Sequence, residues 1–294
     1  MKKISFLLAT MALVCAMTSS CSKEENNQSV KDQFYAAVDN SKIGLDGTGR
    51  TTWGENDVIK VLGYAEDDYS TESIYKLVNG SGTYSGVFEH TPDLDGPEWG
   101  GPWPTLVHGP YMAFYPYGRV EFFTEIGGTQ RESILTDVYF SSQQYCTGEG
   151  LPMFARSDTR QLTFSHMMSI LKLHIQADNI LLSYILVSAP DKNISGMLPV
   201  AYDADGNPYI TPLEDGYPSD FIVEVGQSIN DGLDVYMALP VGTYSSLRLD
   251  MFTDDDPDNG VLVCTKNLNS SFTFERNKLY PVTMEGLEFT PYKK

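Results

Sequence analysis

Leu162-Thr-Phe-Ser-His-Met-Met-Ser-Ile-Leu-Lys-Leu-His-Ile-Gln176 is the stretch that decides the fold. Up to Ile170 its even-numbered positions are mostly apolar, beginning with Leu162 and Phe164. From Leu171 onward the odd-numbered positions are apolar instead. A period of two indicates a half-buried β-strand, and a slip of one residue indicates a bulge or bend that re-aims both faces. We therefore predict one long bent strand, or two short ones, crossing a hydrophobic core.

The rest of the chain has the same short, alternating character. Tyrosine, phenylalanine and β-branched residues are plentiful, and no apolar stripe of helical period continues for about a dozen residues. Beyond residue 180, strand candidates recur at intervals of about 8–14 residues with turn residues between them, which is typical of sandwiches and barrels. The sequence therefore predicts an all-β protein. An opening strand is expected at Phe34–Val38, and the last one within Tyr280–Phe289.

Composition limits the partners and the domain count. The formal net charge is −19, so the chain repels phosphate backbones and we expect no nucleic-acid partner. Its length exceeds what one ordinary all-β core needs, which favours two domains. We place the boundary at the charged stretch 156–160. The predicted domains are an N-terminal one at residues 33–158 and a C-terminal one at residues 159–294.

The first residues have the character of a targeting segment. Lys2 and Lys3 precede a largely apolar run that ends near Met17, which is shorter than the ~20 residues of a membrane-spanning helix. Small residues then lead directly to Cys21, as in a bacterial lipobox. We predict a signal peptide at 1–20, lipid on Cys21 and a flexible tether at 21–32. Ordinary secretion with cleavage near Ser20 is the alternative.

The sequence offers few groups for chemistry. None of the four histidines has metal-ligand spacing, and no Gly-x-Ser-x-Gly elbow occurs. His166 lies among apolar neighbours, so we expect a core histidine rather than a ligand. We predict no catalytic residue, no metal and no cofactor, and therefore not an enzyme. Residues 203–207 and 254–260 cluster oxygen ligands as calcium loops do, with 254–260 the richer in charge. Neither has the glutamate that closes a calcium loop at the right distance, so plain hairpin turns are the favoured interpretation.

Two tryptophans and two cysteines leave alternatives open. Trp99 and Trp103 lie in a loop rich in proline and glycine, where exposed indoles could stack on sugar rings or anchor a partner. Folding of this loop over a sheet edge is the favoured alternative. Cys146 could pair with Cys264 in an oxidising compartment, but two unrelated small residues are the favoured interpretation.

A set of short motifs resembles the fimbrillin family, the lipoprotein pilus subunits and related adhesins of Gram-negative anaerobes. The resemblance spans nearly the whole chain after the signal peptide. The motifs are Phe34-Tyr-Ala36, Thr51-Thr-Trp53, Asn56-Asp57-x-Ile59, Ala113-Phe-Tyr-Pro-Tyr117, Pro152-Met-Phe-Ala155, Leu162-x-Phe-x-His166, Leu171-x-Leu-x-Ile175, Tyr236-x-Ala-Leu-Pro240, Gly242-x-Tyr244 and Asn277-Lys-Leu-Tyr-Pro-Val-Thr283.

The resemblance implies two tandem transthyretin-like β-sandwich domains after the lipoprotein signal peptide. It also implies a surface-exposed lipoprotein of the cell outer membrane, held by lipid at Cys21, as a pilus anchor, tip or stalk subunit or a lone adhesin. In polymerising members an arginine-directed protease removes the first strand and a neighbour's strand replaces it. Arg50 is the candidate processing site here, with a solvated loop arginine as the alternative. The short segment after Phe289 predicts an acceptor of such a strand rather than a donor.

The sequence thus predicts a protein of adhesion or pilus assembly that acts by contact. The alternative is a glycan-binding surface lipoprotein of a polysaccharide-uptake system, which would share the anchor, the acidity and the β-sandwiches.

Overall fold

The computed structural model describes residues 32–39, 52–65, 70–94, 102–118, 121–127, 132–140, 143–145, 151–213, 220–254, 261–268 and 271–292. These ranges form 22 β-strands and contain no α-helix, which confirms the all-β prediction. Within the same ranges, no helix has the length and apolar character needed to cross a membrane.

The strands are numbered in chain order. The first ten are β1 (Gln33–Val38), β2 (Val58–Tyr64), β3 (Ser70–Asn79), β4 (Ser85–His90), β5 (His108–Tyr115), β6 (Glu121–Gly127), β7 (Glu132–Phe140), β8 (Gln143–Tyr145), β9 (Met153–Ser157) and β10 (Gln161–His166). The others are β11 (Ser169–Ile175), β12 (Leu181–Ser188), β13 (Gly196–Tyr202), β14 (Pro208–Ile210), β15 (Phe221–Ser228), β16 (Leu233–Leu239), β17 (Gly242–Tyr244), β18 (Leu247–Thr253), β19 (Leu262–Leu268), β20 (Phe272–Phe274), β21 (Leu279–Met284) and β22 (Thr290–Pro291).

The predicted bent stretch consists of two short strands, β10 and β11, with Met167 and Met168 between them. β10 pairs with β1 and β9, whereas β11 pairs with β16 and β21, so the chain changes sheets at this point. Both methionines are buried. The slip of one residue after Ile170 therefore predicts a bend close to the passage between the sheets, which itself lies earlier, at Met167 and Met168.

Seven strands close into a barrel in the order β1-β10-β9-β5-β2-β3-β4. We expected a sandwich of two open sheets in this part of the chain, whereas the structure has a closed barrel. The barrel closes because β1 pairs with β10 on one side and with β4 on the other. Side chains from all seven strands fill the interior, among them Phe34, Phe88 and Phe164, together with Trp53 from the segment before β2.

A second core lies between two further sheets. One has the order β16-β11-β21 and the other the order β22-β19-β18-β12-β15-β8. Leu171, Leu173 and Ile175 of β11 enter this core, as the period-two pattern predicts, while Lys172 and His174 point away from it. This part of the chain is a β-sandwich, in agreement with the expectation for the C-terminal part.

A third core joins the other two, beneath the four-stranded sheet β14-β13-β7-β6. It gathers Phe114 and Phe154 from the outside of the barrel, Val138 from β7, and Ile170 from β11. Residues from Asp32 onward belong to one compact unit. The division at residue 158 stays a prediction, but four strand pairings cross it: β1 with β10, β9 with β10, β7 with β13, and β8 with β15.

Several short strands lie where the sequence pattern predicts none: β6, β8, β13 and β17. β22 is another, because Thr290 and Pro291 follow the last expected strand. They pair with Val263 and Leu262 of β19, and the ring of the next residue, Tyr292, lies 5.5 Å from that of Phe252. The segment after Phe289 is therefore part of the protein's own sheet up to Tyr292.

Strand phase can be tested with two neighbouring substitutions in β11. Leu173→Ala removes a fully buried side chain, so we expect a loss of about 2–5 kcal/mol in the free energy of unfolding. Lys172→Ala removes a partly exposed ion pair with Asp234 at 2.7 Å and should cost less than about 1 kcal/mol. Denaturant titration of both variants measures the difference. Equal losses would contradict the assigned phase.

His166 ends β10 as the buried histidine that the sequence predicts, with 2% of its surface exposed. Burial lowers its pKa from 6.5 to about 4, although the nearby Asp39 carboxylate acts in the opposite direction. The unfolded chain therefore binds a proton on this residue between these two pH values and the folded chain does not.

A pH-dependent loss of stability follows. As the pH falls from 6.5 towards 4, protonation of His166 in the unfolded state should remove of the order of 3 kcal/mol from the free energy of unfolding. Denaturant titrations at pH 7.0, 5.5 and 4.5 measure this loss. His166→Gln cannot titrate there, so its stability should decline less over the same range. Parallel pH profiles of the two proteins would exclude His166 as the cause.

Candidate functional site

The candidate site is the first strand, β1, and the elements that hold it. β1 runs parallel to β10, with Ala36 opposite Leu162, and antiparallel to β4, with Ala36 opposite Gly86. Its residues Phe34, Ala36 and Val38 face the barrel interior and are buried. Because both of its edges are hydrogen-bonded, β1 is the strand that closes the barrel between β4 and β10.

Aromatic rings pack beneath β1. The Phe34 ring meets Tyr75 and Tyr111 edge to face, with centroids 4.7 and 4.8 Å apart. Edge-to-face contacts of this kind contribute roughly 0.5–1.5 kcal/mol beyond simple burial. Phe34 is fully buried, so its burial alone stabilises the fold by roughly 1.5–3 kcal/mol. Phe34 is thus the largest buried side chain that β1 contributes to the core.

Trp53 forms the second aromatic centre of the barrel. Its indole contacts Phe88 of β4, Tyr115 of β5 and Phe164 of β10 edge to face, at centroid distances of 5.0 to 5.5 Å. Gly86 makes room for it, since a Cβ there would lie 3.2 Å from the indole and 2.5 Å from the Leu77 side chain. The packing of Trp53 and Leu77 beside β1 therefore favours a residue without a side chain at position 86 of β4.

Asp32 ties the start of β1 to three other elements. Its carboxylate accepts hydrogen bonds from the Tyr75 hydroxyl at 3.1 and 3.2 Å and forms an ion pair with Arg160. Nδ1 of His90 lies 3.6 Å from the same carboxylate. These partners lie on β3, just before β10, and at the end of β4. We call this group, Asp32, Tyr75, His90 and Arg160, the Asp32 cluster.

Arg160 links the Asp32 cluster to the aromatic packing. Its guanidinium also donates to the carbonyl of Leu106 and lies 4.9 Å from the centre of the Phe34 ring. Burial lowers the pKa of Arg160, but the hydrogen bond and charge of Asp32 more than offset this and leave that pKa raised. Burial, followed by the Asp32 charge, raises the pKa of the Tyr75 hydroxyl. At neutral pH the Arg160 guanidinium is therefore charged and the Tyr75 phenol is neutral.

The residues that the sequence singles out are only partly described. Cys21, Arg50 and Trp99 lie outside the described residues, so their roles stay predictions. Trp103 is 6% exposed, and its indole N–H donates to the carbonyl of Leu94 at 2.7 Å. The folded-back alternative therefore describes Trp103, and the exposed indole face that ligand contact requires is missing there.

The structure describes only part of the two candidate calcium loops and only one of the two cysteines that could pair. Asp203 accepts hydrogen bonds from the backbone of Asp205 and Asn207, which makes 203–207 an ordinary side-chain-capped turn between β13 and β14. Most of 254–260 lies outside the described ranges. Cys264 is a buried free thiol, and Cys146 is not described. Among the described residues, no group of three His, Cys, Asp or Glu side chains could hold a metal ion.

Sequence reasoning did not find the Asp32 cluster or the role of Gln144. The amide of Gln144 is buried, accepts from the backbone N–H of Ala238 at 2.9 Å and donates to the Ala238 carbonyl at 3.2 Å. It thereby imitates a strand partner and attaches β8 to the edge of β16. Both features rest on contacts between residues far apart in the chain, and a polar stretch such as 141–150 carries no alternating signal.

Comparison with known proteins identifies the fold. No protein-family model and no curated protein matches the chain. A candidate cell adhesion protein from Bacteroides ovatus has a solved structure that matches 89% of this chain and 95% of its own, with 15% identity and a TM-score of 0.50. A candidate cell adhesion protein from Bacteroides fragilis matches 89% and 98% of the two chains, with 12% identity and a TM-score of 0.40. The first of these likenesses shows that the chain shares the fold of that Bacteroides ovatus protein.

Proposed function

We propose that this chain is a fimbrillin-like lipoprotein of the cell surface, which acts in adhesion or pilus assembly through contacts rather than catalysis. Two independent features support the adhesive role. The chain shares a fold with a candidate cell adhesion protein, and its sequence motifs resemble those of fimbrillins. Lipid on Cys21 would hold it at the outer membrane.

The position of β1 in the barrel supports a role in pilus assembly. β1 is short, it closes the barrel from its position in the first described segment, and Arg50 follows it before Trp53. Its removal would uncover the rings of Tyr75, Tyr111 and Phe164 and free one edge each of β4 and β10. An extended segment with alternating apolar side chains could restore both ladders, as in other cases of strand addition. Pilus subunits would be the partners.

The membrane anchor can be tested by fractionation. We expect Cys21→Ala to shift the full-length chain from the membrane to the soluble fraction, because the acyl chains that would hold it need this thiol. Cys264→Ala is the matched control: it removes a buried thiol in β19 and should leave the chain with the membranes. If the Cys21 variant stays in the membrane fraction after a high-salt wash, the anchor lies elsewhere.

Strand replacement can be tested by cleavage after Arg50. An arginine-specific protease should release the segment that contains β1, whereas Arg50→Lys keeps the charge and should resist the cut. After the released fragment is separated, the nicked chain should bind a labelled peptide of residues 32–39, since this peptide restores both ladders.

A peptide with Phe34→Asp is the control for that experiment, because it would place a charge among Tyr75 and Tyr111. Uncut Arg50→Lys protein should bind neither peptide. If the nicked chain unfolds, or binds the two peptides equally, strand replacement is refuted and a non-polymerising surface adhesin is left.

A further inference from the structure

The outer face of β1 forms part of a groove. Tyr35 and Ala37 point outward, opposite to the buried Phe34, Ala36 and Val38, and Tyr35 is 56% exposed. The strand register places Tyr35 between Val87 of β4 and Gln161 of β10. One pair further along, it places Ala37 between Ser85 and Thr163.

The groove has a volume of about 460 Å³, within the roughly 300–1,000 Å³ of small-ligand clefts. Because the side chain of Ala37 is small, it leaves space at the bottom of the groove beside the Tyr35 ring. One wall is the turn before β4, where Gly80 adopts a φ of 99° and a Cβ would lie 2.2 Å from the Ser85 carbonyl. The lining residues are Tyr35, Ala36, Ala37, Asn79, Gly80, Thr83, Ser85, Gly86, Val87, Gln161, Leu162 and Thr163.

This lining combines apolar side chains with uncharged polar ones. None of its residues is Asp, Glu, Lys, Arg or His, although the chain has 39 acidic residues and a net charge of −19. Within the described part of the chain, the side chains of Ser85, Gln161 and Thr163 make no hydrogen bond, so their donors and acceptors are available to a ligand. The groove therefore suits a neutral ligand that carries many hydroxyl groups.

A peptide strand does not fit the same groove as well. The backbone N–H and C=O groups of β1 already pair with β4 and β10, so an added strand would find no free ladder on this face. Recognition must instead use side chains and the exposed ring. A tyrosine ring offers an electron-rich face to C–H groups and a hydroxyl to a polar edge, and a sugar ring presents both kinds of group.

We propose that this groove binds a neutral oligosaccharide, with the apolar face of one sugar ring on Tyr35 and its hydroxyls bonded to Ser85, Gln161 and Thr163. This inference deepens the proposed adhesive function and rests on it, since it names the class of surface ligand. It also gives cleavage after Arg50 a second consequence. Loss of β1 would remove Tyr35 and Ala37, so sugar binding would be lost unless the replacing strand carries the same two residues.

Affinity electrophoresis of the full chain tests the proposal. Native gels containing amylopectin, dextran, xylan or galactomannan are the neutral probes, and polygalacturonate is the charged one. We expect retardation in at least one neutral gel and none in polygalacturonate. Tyr35→Ala removes the ring and Ala37→Leu fills the floor, and each should weaken binding by about tenfold. Tyr139→Ala, which truncates another exposed tyrosine outside the groove, should bind as the unaltered chain does.

Two outcomes would overturn the proposal: no retardation in any neutral gel, or equal retardation of the Tyr35, Ala37 and Tyr139 variants. Melting curves check that the Tyr35 and Tyr139 variants are equally folded. Beads coated with each protein and applied to epithelial and bacterial cells separate this inference from the proposed function. If beads with the unaltered chain and with the Tyr35 variant adhere equally, adhesion stands and the sugar site fails. If neither adheres, the adhesive function itself fails.

Discussion

Consecutive burial of Met167 and Met168 is the constraint on which the rest of the structure depends. A strand with one solvent-exposed face cannot bury two consecutive side chains, because these point to opposite faces of the sheet. Here both sides are covered, since the chain leaves the barrel at His166 and enters the sandwich at Ser169 within the third core. The adaptable methionine side chain suits such an irregular junction. The barrel and the sandwich are therefore coupled by packing at the point where the chain passes between them.

The sequence predicted this junction but not the core around it. The slip between Ile170 and Leu171 is a local signal, and the burial of Leu171, Leu173 and Ile175 follows from it. The third core has no such signal, because its sheet joins β7 to β13 across more than fifty intervening residues, and neither strand reveals its partner locally. For the same reason the pattern that suggested a boundary at residue 158 could not indicate that three long-range strand pairings cross it, besides the local pairing of β9 with β10.

The candidate site was predictable to a similar degree. The alternation of Phe34, Ala36 and Val38 marked an opening strand, and this assignment needs only local period. The Asp32 cluster could not be found this way, since Asp32 and Arg160 are brought together only when β1 lies beside β10. The groove depends even more on register: a shift of one residue would turn Tyr35 inward and leave Ala36 on the surface. Local pattern thus identified the strand, and long-range pairing created the site.

The two faces of β1 place opposing demands on one short segment. The contacts of Phe34 and the Asp32 cluster must bind β1 to the barrel tightly enough to close it. The proposed strand replacement requires, in contrast, that β1 can dissociate from the barrel. The outer face carries Tyr35, and sugar contacts there would stabilise only the form in which β1 is in place. By linkage, any ligand that binds only this form makes removal of β1 less favourable, by RT ln(1 + [L]/Kd). Under the two proposals, a surface sugar would therefore favour the form with β1 in place, and cleavage after Arg50 would remove that form irreversibly.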